Sequence, residues 1–465
     1  MKTLHLAIAA VLSSSQLAAQ PGAIDLTFNP GSGVDSLVRS VIVQTGGKII
    51  IGGDFVSVNG TPRKNIARLN SDGSLDNAFD PGAGFNDGVY AIALQPDGKI
   101  LVGGGFSVFN GTPIKSLARL NANGTLDNSF GSSVDAGGSV YGIALQPDGK
   151  AIIGGSFSEY GGEVVGFIAR VNSNGSLDNA FAANTGDGFN AGTWRIALQD
   201  DGKAVVVGAF NEFDGTPRER IIRLNNDGSL DASFDPGAGF SNWTLGLALQ
   251  PDGKVLVGGL FTEFDNNSRE FVARLNSDGS IDPSFDATTA VNWHVFNLLL
   301  QPDGKVIVIE WGYPLQLVRL NADGTKDPTF VTGSGFVGGG LDGGPASFAL
   351  QADGRLLVGG RFASYNGTAR SGIVRILTGL PSTVEPFHAS SNLNIWPNPT
   401  FGALQISSPE EIRSLVVTDI LGNAIVMESP RAKSATIDLS DQASGLYLIR
   451  ALTDSSERVT KVVKQ

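Results

Sequence analysis

"AIALQPDGKILVGGGF", residues Ala91–Phe106, is two apolar runs joined by Pro96-Asp97-Gly98. Proline presets φ at the first turn position and glycine accepts the positive φ that completes it, so the stretch reads as a β-hairpin. The following text, "FNGTPIKSLARLNANGTLDNSF" (Phe109–Phe130), supplies two further strand-like runs, "SLARLN" and "TLDNSF", linked by Asn123-Gly124. Asn-Gly is the favoured pair for a two-residue hairpin link. One stretch of chain therefore spells four consecutive antiparallel strands, the first two nearly continuously apolar.

The same text is written seven times. Its glutamine anchor stands at Gln44, Gln95, Gln146, Gln199, Gln250, Gln301 and Gln351, spaced 51, 51, 53, 51, 51 and 50 residues. An arginine anchor recurs at Arg68, Arg119, Arg170, Arg223, Arg274, Arg319 and Arg375. A fixed period of this size means a repeat architecture. Seven four-stranded sheets predict an all-β fold, a seven-bladed β-propeller over residues 21–380. The seventh repeat ends at "GIVRILTG" without its last strand, and the missing "LDxxF" text stands instead at the N-terminus as "IDLTFNPG", Ile24–Gly31. The expected closure pairs residues 24–28 beside 373–376, hiding an edge that would otherwise lie open. Each "RLN" arginine and each "LDxxF" aspartate form an expected ion pair, Arg375 with Asp25 across the closure.

Loop lengths identify the variable face. Gln to the following Lys or Arg is always 4 residues, and Arg to the following Phe is always 11 where both occur. The other two connections vary: Lys305 to Arg319 is 14 residues where the other repeats have 20, and Phe330 to Gln351 is 21 where most have 16. In an up-and-down blade those two connections share one face, and variable loops on a rigid scaffold are where function is carried.

The net charge of −12 excludes a basic stripe of the kind nucleic acid requires. No cysteine is present, which removes disulfides, thiolate metal sites and cysteine nucleophiles. Residues 1–20 pair a lysine with a short apolar run and small polar residues, as a secretory signal does, and no later stretch is long enough to span a bilayer. "PSTVEPFHASS", residues 381–391, has linker composition. The alternating strands and Asn/Gly turns of residues 392–465 predict a small Ig-like β-sandwich.

"AIALQPDGKILVGG" and "IARLNSDGSLDNAF", with their period, resemble the delta-60 repeat β-propeller family over residues 24–378. That resemblance implies an extracellular propeller, mostly without an assigned activity. "NLNIWPNPTFGALQI", "SLVVTDILGNAIV", "TIDLSDQASGLYLIRA" and "TKVVKQ" resemble a type A sorting domain of the type IX secretion system. The matching residues are Pro397, Asn398, Pro399, Gly402, Asp419, Gly422, Asp438, Gly445, Tyr447, Lys461 and Lys464. This resemblance implies the outer-membrane secretion machinery as a partner and a secreted or surface-attached product.

Candidate chemistry is sparse. "LNSDGSLD" is similar to a propeller calcium loop, but Arg68 stands where the first aspartate belongs, so a hairpin and no metal are expected. Of three histidines only His294 falls in the repeats, no nucleophile elbow stands out, and no cofactor is indicated. The departures from the repeat are more informative. Trp194 replaces Tyr90 and Tyr141 and is expected to pack in the core. Trp243, Trp293 and His294 fall in variable-face loops, while Trp311 and Tyr313 lie in the shortened loop, where Glu310 replaces a repeat glycine. A short loop between longer ones makes a notch whose aromatic rings suit a sugar or peptide ligand. The expectation is a non-enzymatic binding or adhesion module. The alternatives are a carboxylate-dependent carbohydrate-active enzyme and a purely structural surface protein.

Overall fold

The computed structural model describes residues 20–131, 138–312, 315–339, 344–380, 394–396, 400, 402–418, 424–442, 445–453 and 457–464. The expected signal peptide (all but Gln20) and linker, Tyr313, Pro397, Asn398, Pro399, Asp419 and Gly422 lie outside the described residues. The chain divides into two compact units, Met1–Thr383 and Val384–Gln465.

The first unit is built of seven antiparallel sheets. In the second repeat the inner strand Val89–Leu94, the middle strand Ile100–Gly104 and the outer strand Leu117–Leu120 lie side by side. Gly98 adopts φ 84°, and Gln95 N–H donates to the Lys99 carbonyl at 2.9 Å, which closes the tight turn. All five middle-strand residues are buried, because neighbouring blades cover both of its faces. The inner strand instead alternates buried and half-buried residues, since one of its edges faces the central channel.

The expected fourth strand is shorter than the sequence pattern suggests. It shrinks to one bridge, Leu120 with Leu126 in this repeat. The cause is the aspartate that follows. Asp127 Oδ1 accepts the Ser129 N–H at 3.0 Å and the Asp127 carbonyl accepts Phe130 N–H at 3.2 Å, so the chain turns at once and drops Phe130 into the core. In the third repeat the equivalent Asp178 caps a helix, Asn179–Thr185, by accepting from Ala180 and Phe181 N–H.

The arginine–aspartate pairs form in all seven repeats. Arg119 Nε donates to Asp127 Oδ2 at 2.7 Å, Lys99 Nζ reaches the same oxygen at 2.9 Å, and the guanidinium lies 4.7 Å from the Phe130 ring centre. Arg119 Nη1 also donates to the Ser173 carbonyl of the next repeat at 2.6 Å. Each arginine thus ties its own blade to its neighbour. Burial alone would raise the Asp76 carboxyl, but hydrogen bonds from Lys48 and Arg68 outweigh it and hold the group at about 2.

The ring closes as the repeat frame requires. Ile24 bridges Ile376, Asp25 N–H donates to the Arg375 carbonyl at 2.8 Å, and Leu377 N–H donates to the Ala23 carbonyl at 2.9 Å.

The second unit has six strands: Asn394–Trp396, Ala403–Thr418, Ala424–Glu428, Ala432–Asp438, Gly445–Thr453 and Glu457–Lys464. The long strand Ala403–Thr418 pairs with four of the others and shifts register between Ser407 and Ile412. All six strands therefore belong to one hydrogen-bonded sheet, bent over a single core of Leu404, Ile406, Leu415, Ile437 and Ile449 among others. Tyr447 is buried in that core, and Lys464 pairs with Gly445 while bridging Thr400. Lys461 lies opposite Leu448. Gly402 is packed so closely on Ser440 that a Cβ would come within 2.3 Å of its hydroxyl. No described helix of the chain is long and apolar enough to cross a membrane.

Candidate binding cavity of the propeller

Every inner strand carries one β-bulge at the same place. Opposite the middle strand, Val89 pairs with Gly104 and Ala91 with Gly103, leaving Tyr90 as the extra residue. The equivalents are Arg39, Tyr141, Trp194, Leu245, Phe296 and Ala346. A bulge re-aims the residue it inserts. Five of the seven, Arg39, Tyr90, Tyr141, Phe296 and Ala346, line a cavity of about 690 Å³ at the mouth of the channel.

A second ring comes from the residue closing each middle strand. Arg361 ends its middle strand and Asp54 and Trp311 directly follow theirs; all three contribute to the cavity wall, with Leu37 and Leu315 from the adjoining loops and Gly344 from the start of the seventh inner strand. These positions flank the two connections whose lengths vary, so the cavity opens on the variable face.

One side of the wall is aromatic. Arg39 lies 5.0 Å from the Tyr90 ring centre, Tyr90 stacks on Tyr141 at 5.4 Å, Tyr141 meets Trp194 at 5.0 Å, and Trp194 meets Trp243 at 6.4 Å. Five successive blades thus contribute one continuous row of side chains. Trp194 is half-buried within it and not part of the apolar core expected from sequence. In the sixth blade Phe296 and Trp311 form a separate pair, with ring centres 4.1 Å apart.

The charged part of the wall is unbalanced. Arg39 Nε donates to both Asp54 carboxylate oxygens at 2.9 Å, and this pairing outweighs the opposing effect of burial to raise the Arg39 pKa. Arg195 lines the cavity from the fourth blade and, among the described residues, donates only to the Trp194 carbonyl, at 3.2 Å. Desolvation pushes its pKa down. Arg361 completes the set from the seventh blade.

The residues singled out from sequence are distributed around this cavity. Trp311 lines it, and Trp243 ends the aromatic row, 48% exposed. Trp293 is 56% exposed and lies over Gly312, where a Cβ would come within 2.9 Å of its ring. His294 meets Phe271 edge-on at 5.3 Å, and its carbonyl accepts Trp311 N–H at 2.8 Å. Glu310 is buried, and its Oε1 accepts Asn292 N–H at 2.5 Å, so it anchors the loop that carries Trp293. Among the described residues the sixth blade also lacks the two-residue hairpin found in the other six, such as Ser57–Val58 with Thr61–Pro62. That absence follows from its shortened connection.

Sequence reasoning did not single out Arg39, Asp54, Tyr90, Tyr141, Arg195, Phe296 and Arg361. The signal was present: in an otherwise constant strand, one position runs Arg, Tyr, Tyr, Trp, Leu, Phe, Ala through the seven repeats. The next position is Ser40, Ala91, Gly142, Gly246, Asn297 and Ser347 in six repeats but Arg195 in the fourth.

Comparison with known proteins agrees with this architecture. A β-propeller domain family of unknown function, DUF5122, matches residues 44–79, 95–130, 146–181, 199–234, 250–285, 301–330 and 351–379, just over half of the chain. The secretion system C-terminal sorting domain family matches residues 394–465. No curated protein matches the chain. Among solved structures, PorZ, a surface component of the type IX secretion system of Porphyromonas gingivalis, is 14% identical with a TM-score of 0.45. That match covers 94% of this chain and 60% of PorZ. The extracellular domain of the BT4673 hybrid two-component system from B. thetaiotaomicron is 13% identical with a TM-score of 0.48, covering 96% of this chain and 60% of that one. The chain therefore spans about 60% of the length of these structures. The XC5397 gluconolactonase of Xanthomonas campestris is 12% identical with a TM-score of 0.38, covering 76% of this chain and 98% of that one. The seven matched repeats and the sorting tail together establish that the chain belongs to the DUF5122 β-propeller family and is exported by the type IX route to the cell surface or beyond.

Proposed function

We propose that the exported propeller is a non-enzymatic binding module that holds a sugar or peptide ligand in its central cavity. One observation carries this reading: of the seven bulge residues at one level, five line a single opening, and four of those five, Arg39, Tyr90, Tyr141 and Phe296, are flat or charged. A cavity of about 690 Å³ with several rings and a few polar groups has the size and lining of a small-ligand site. Rings stack on the apolar faces of sugars while arginines bind their polar edges. Two carboxylates near the opening are already engaged, Asp54 by Arg39 and Glu310 by the Asn292 N–H, which favours binding over acid–base chemistry. The exposed Trp293 and Trp243 extend the aromatic surface outward from the mouth.

The test is a glycan and peptide array probed with the purified exported chain and with Tyr141→Ala and Trp293→Ala/Trp311→Ala variants of matched melting temperature. The reading expects binding by the parent chain that is lost in both variants. Binding unchanged in both would remove the cavity from consideration and favour the structural surface protein.

A further inference from the structure

We infer that the ligand of the central cavity is an acidic sugar whose carboxylate pairs with Arg195; this rests on the binding reading above. The cavity wall carries three guanidinium groups, from Arg39, Arg195 and Arg361, against one carboxylate, Asp54. Asp54 is consumed by Arg39 at 2.7 Å, and among the described residues neither Arg195 nor Arg361 has an ion-pair partner. This local excess of positive charge stands in a chain of net charge −12. Arg195 and Arg361 rise from blades four and seven, on opposite sides of the ring.

Arg195 itself departs from every repeat. Its six equivalents are Ser, Ala, Gly, Gly, Asn and Ser, all small, so the fold has no need of a long side chain there. Among the described residues its one hydrogen bond is to a neutral carbonyl, and it lines the cavity. Holding a partly desolvated guanidinium without a counter-ion costs stability, and such costs are retained where a ligand removes them. A planar fork of donors fits a carboxylate in bidentate fashion.

The aromatic row favours a sugar over a strand-like peptide. Tyr90 and Tyr141 stack on one another and line the same cavity as Arg195, which suits a ring-shaped ligand bearing a charged substituent. A peptide docking as an added strand would need an unbroken row of backbone donors and acceptors along a strand edge, and the bulge interrupts that row in every inner strand.

The test follows the melting temperature and tryptophan fluorescence of the full exported chain while D-glucuronate is titrated in. D-glucose serves as the uncharged control and sodium chloride as the ionic-strength control. The expected result is a saturable rise in melting temperature with glucuronate, at least tenfold weaker with glucose. That rise disappears in Arg195→Met, survives in part in Arg195→Lys, and Arg195→Met melts no lower than the parent without ligand. An equal response to glucose and glucuronate, unchanged in Arg195→Met, overturns the charge assignment and leaves the binding reading in place. A glucuronate response that persists in Arg195→Met places the carboxylate elsewhere and overturns the inference. Absence of response to either sugar in the parent also overturns it, and the array then judges the binding reading alone. If Arg195→Met does not fold, the glucose–glucuronate comparison in the parent and in Arg195→Lys still decides.

Discussion

Arg375 and Asp25, 350 residues apart in sequence, meet at 2.7 Å and join the last blade to the N-terminal segment beside the Ile24–Ile376 bridge. Six other arginine–aspartate pairs have the same geometry, but each of those is separated by only eight residues. The closing pair alone must overcome the entropy of bringing distant segments together. Arg355 and Thr27 reinforce it, at 3.1 and 2.9 Å.

Replacing Asp25 by alanine leaves Arg375 buried without its counter-ion. Breaking one side of a buried pair typically costs about 3–5 kcal/mol. Asp25→Ala is expected to lower the melting temperature and to expose the amides of Ile373–Ile376 to hydrogen exchange ahead of the other blades. Asp127→Ala should cost a comparable amount without that local fraying, because its two partners belong to one blade. Equal exchange across all seven blades in Asp25→Ala would sink the assignment of the closure to this pair.

Acid stability follows from the same network. Asp76 and Asp178 are held at about 2, below the ordinary 3.8; burial opposes this, and the hydrogen bonds from Lys48 and Arg68, or Lys150 and Arg170, prevail. A depressed carboxylate contributes stability that is fully present above its unfolded pKa and is lost as pH falls through the folded one. The melting temperature should therefore be flat above about pH 4 and fall steeply between about pH 4 and pH 2. Asp76→Asn should lower the plateau and make the acid slope shallower. A melting temperature that holds constant down to pH 2 would contradict the network.

The architecture was legible in the sequence because turns and charge pairs act locally and repeat. Pro96-Asp97-Gly98 dictates its own geometry, and the displaced "IDLTFNPG" reveals the closure by frame alone. The cavity was not legible for a related reason. An extra residue such as Tyr90 or Tyr141 sits in every repeat, so it leaves the spacing of the anchors unchanged and no gap betrays it. Trp194 shared that position with two tyrosines and so suggested core packing, when the bulge places all three in one half-buried aromatic row. The notch residues were visible because they break the repeat, yet Glu310 breaks it in order to hold a loop.

Glu310 provides a direct contrast between binding and catalysis. Its carboxylate accepts the Asn292 N–H at 2.5 Å, and a Gln side chain keeps that acceptor oxygen. Glu310→Gln is expected to retain both stability and ligand binding. Glu310→Ala should cost about 1–3 kcal/mol by leaving the amide unsatisfied, and should weaken binding by loosening the loop that carries Trp293. Calorimetry and array binding of the two variants check this. A carboxylate acting as acid or base would give the opposite pattern, with turnover abolished in the glutamine variant despite a normal melting temperature.

Two neighbouring glycines separate the demands of the scaffold from those of the cavity. A Cβ at Gly104 would come within 2.1 Å of the Gly88 carbonyl oxygen, which is main chain and cannot yield without opening the blade. The Gly105 N–H donates to that same carbonyl at 3.0 Å. Gly104→Ala is therefore expected to cost about 3 kcal/mol or more, the upper range for overpacking. A Cβ at Gly105 instead meets the Tyr90 hydroxyl at 3.0 Å, the movable end of a cavity side chain. Gly105→Ala should leave the melting temperature within a few degrees of the parent while displacing Tyr90 against Tyr141 and changing ligand affinity. Thermal denaturation and array binding of the two variants test the separation. Equal losses of stability in both would mean that the aromatic row is braced by the core and is no independent surface.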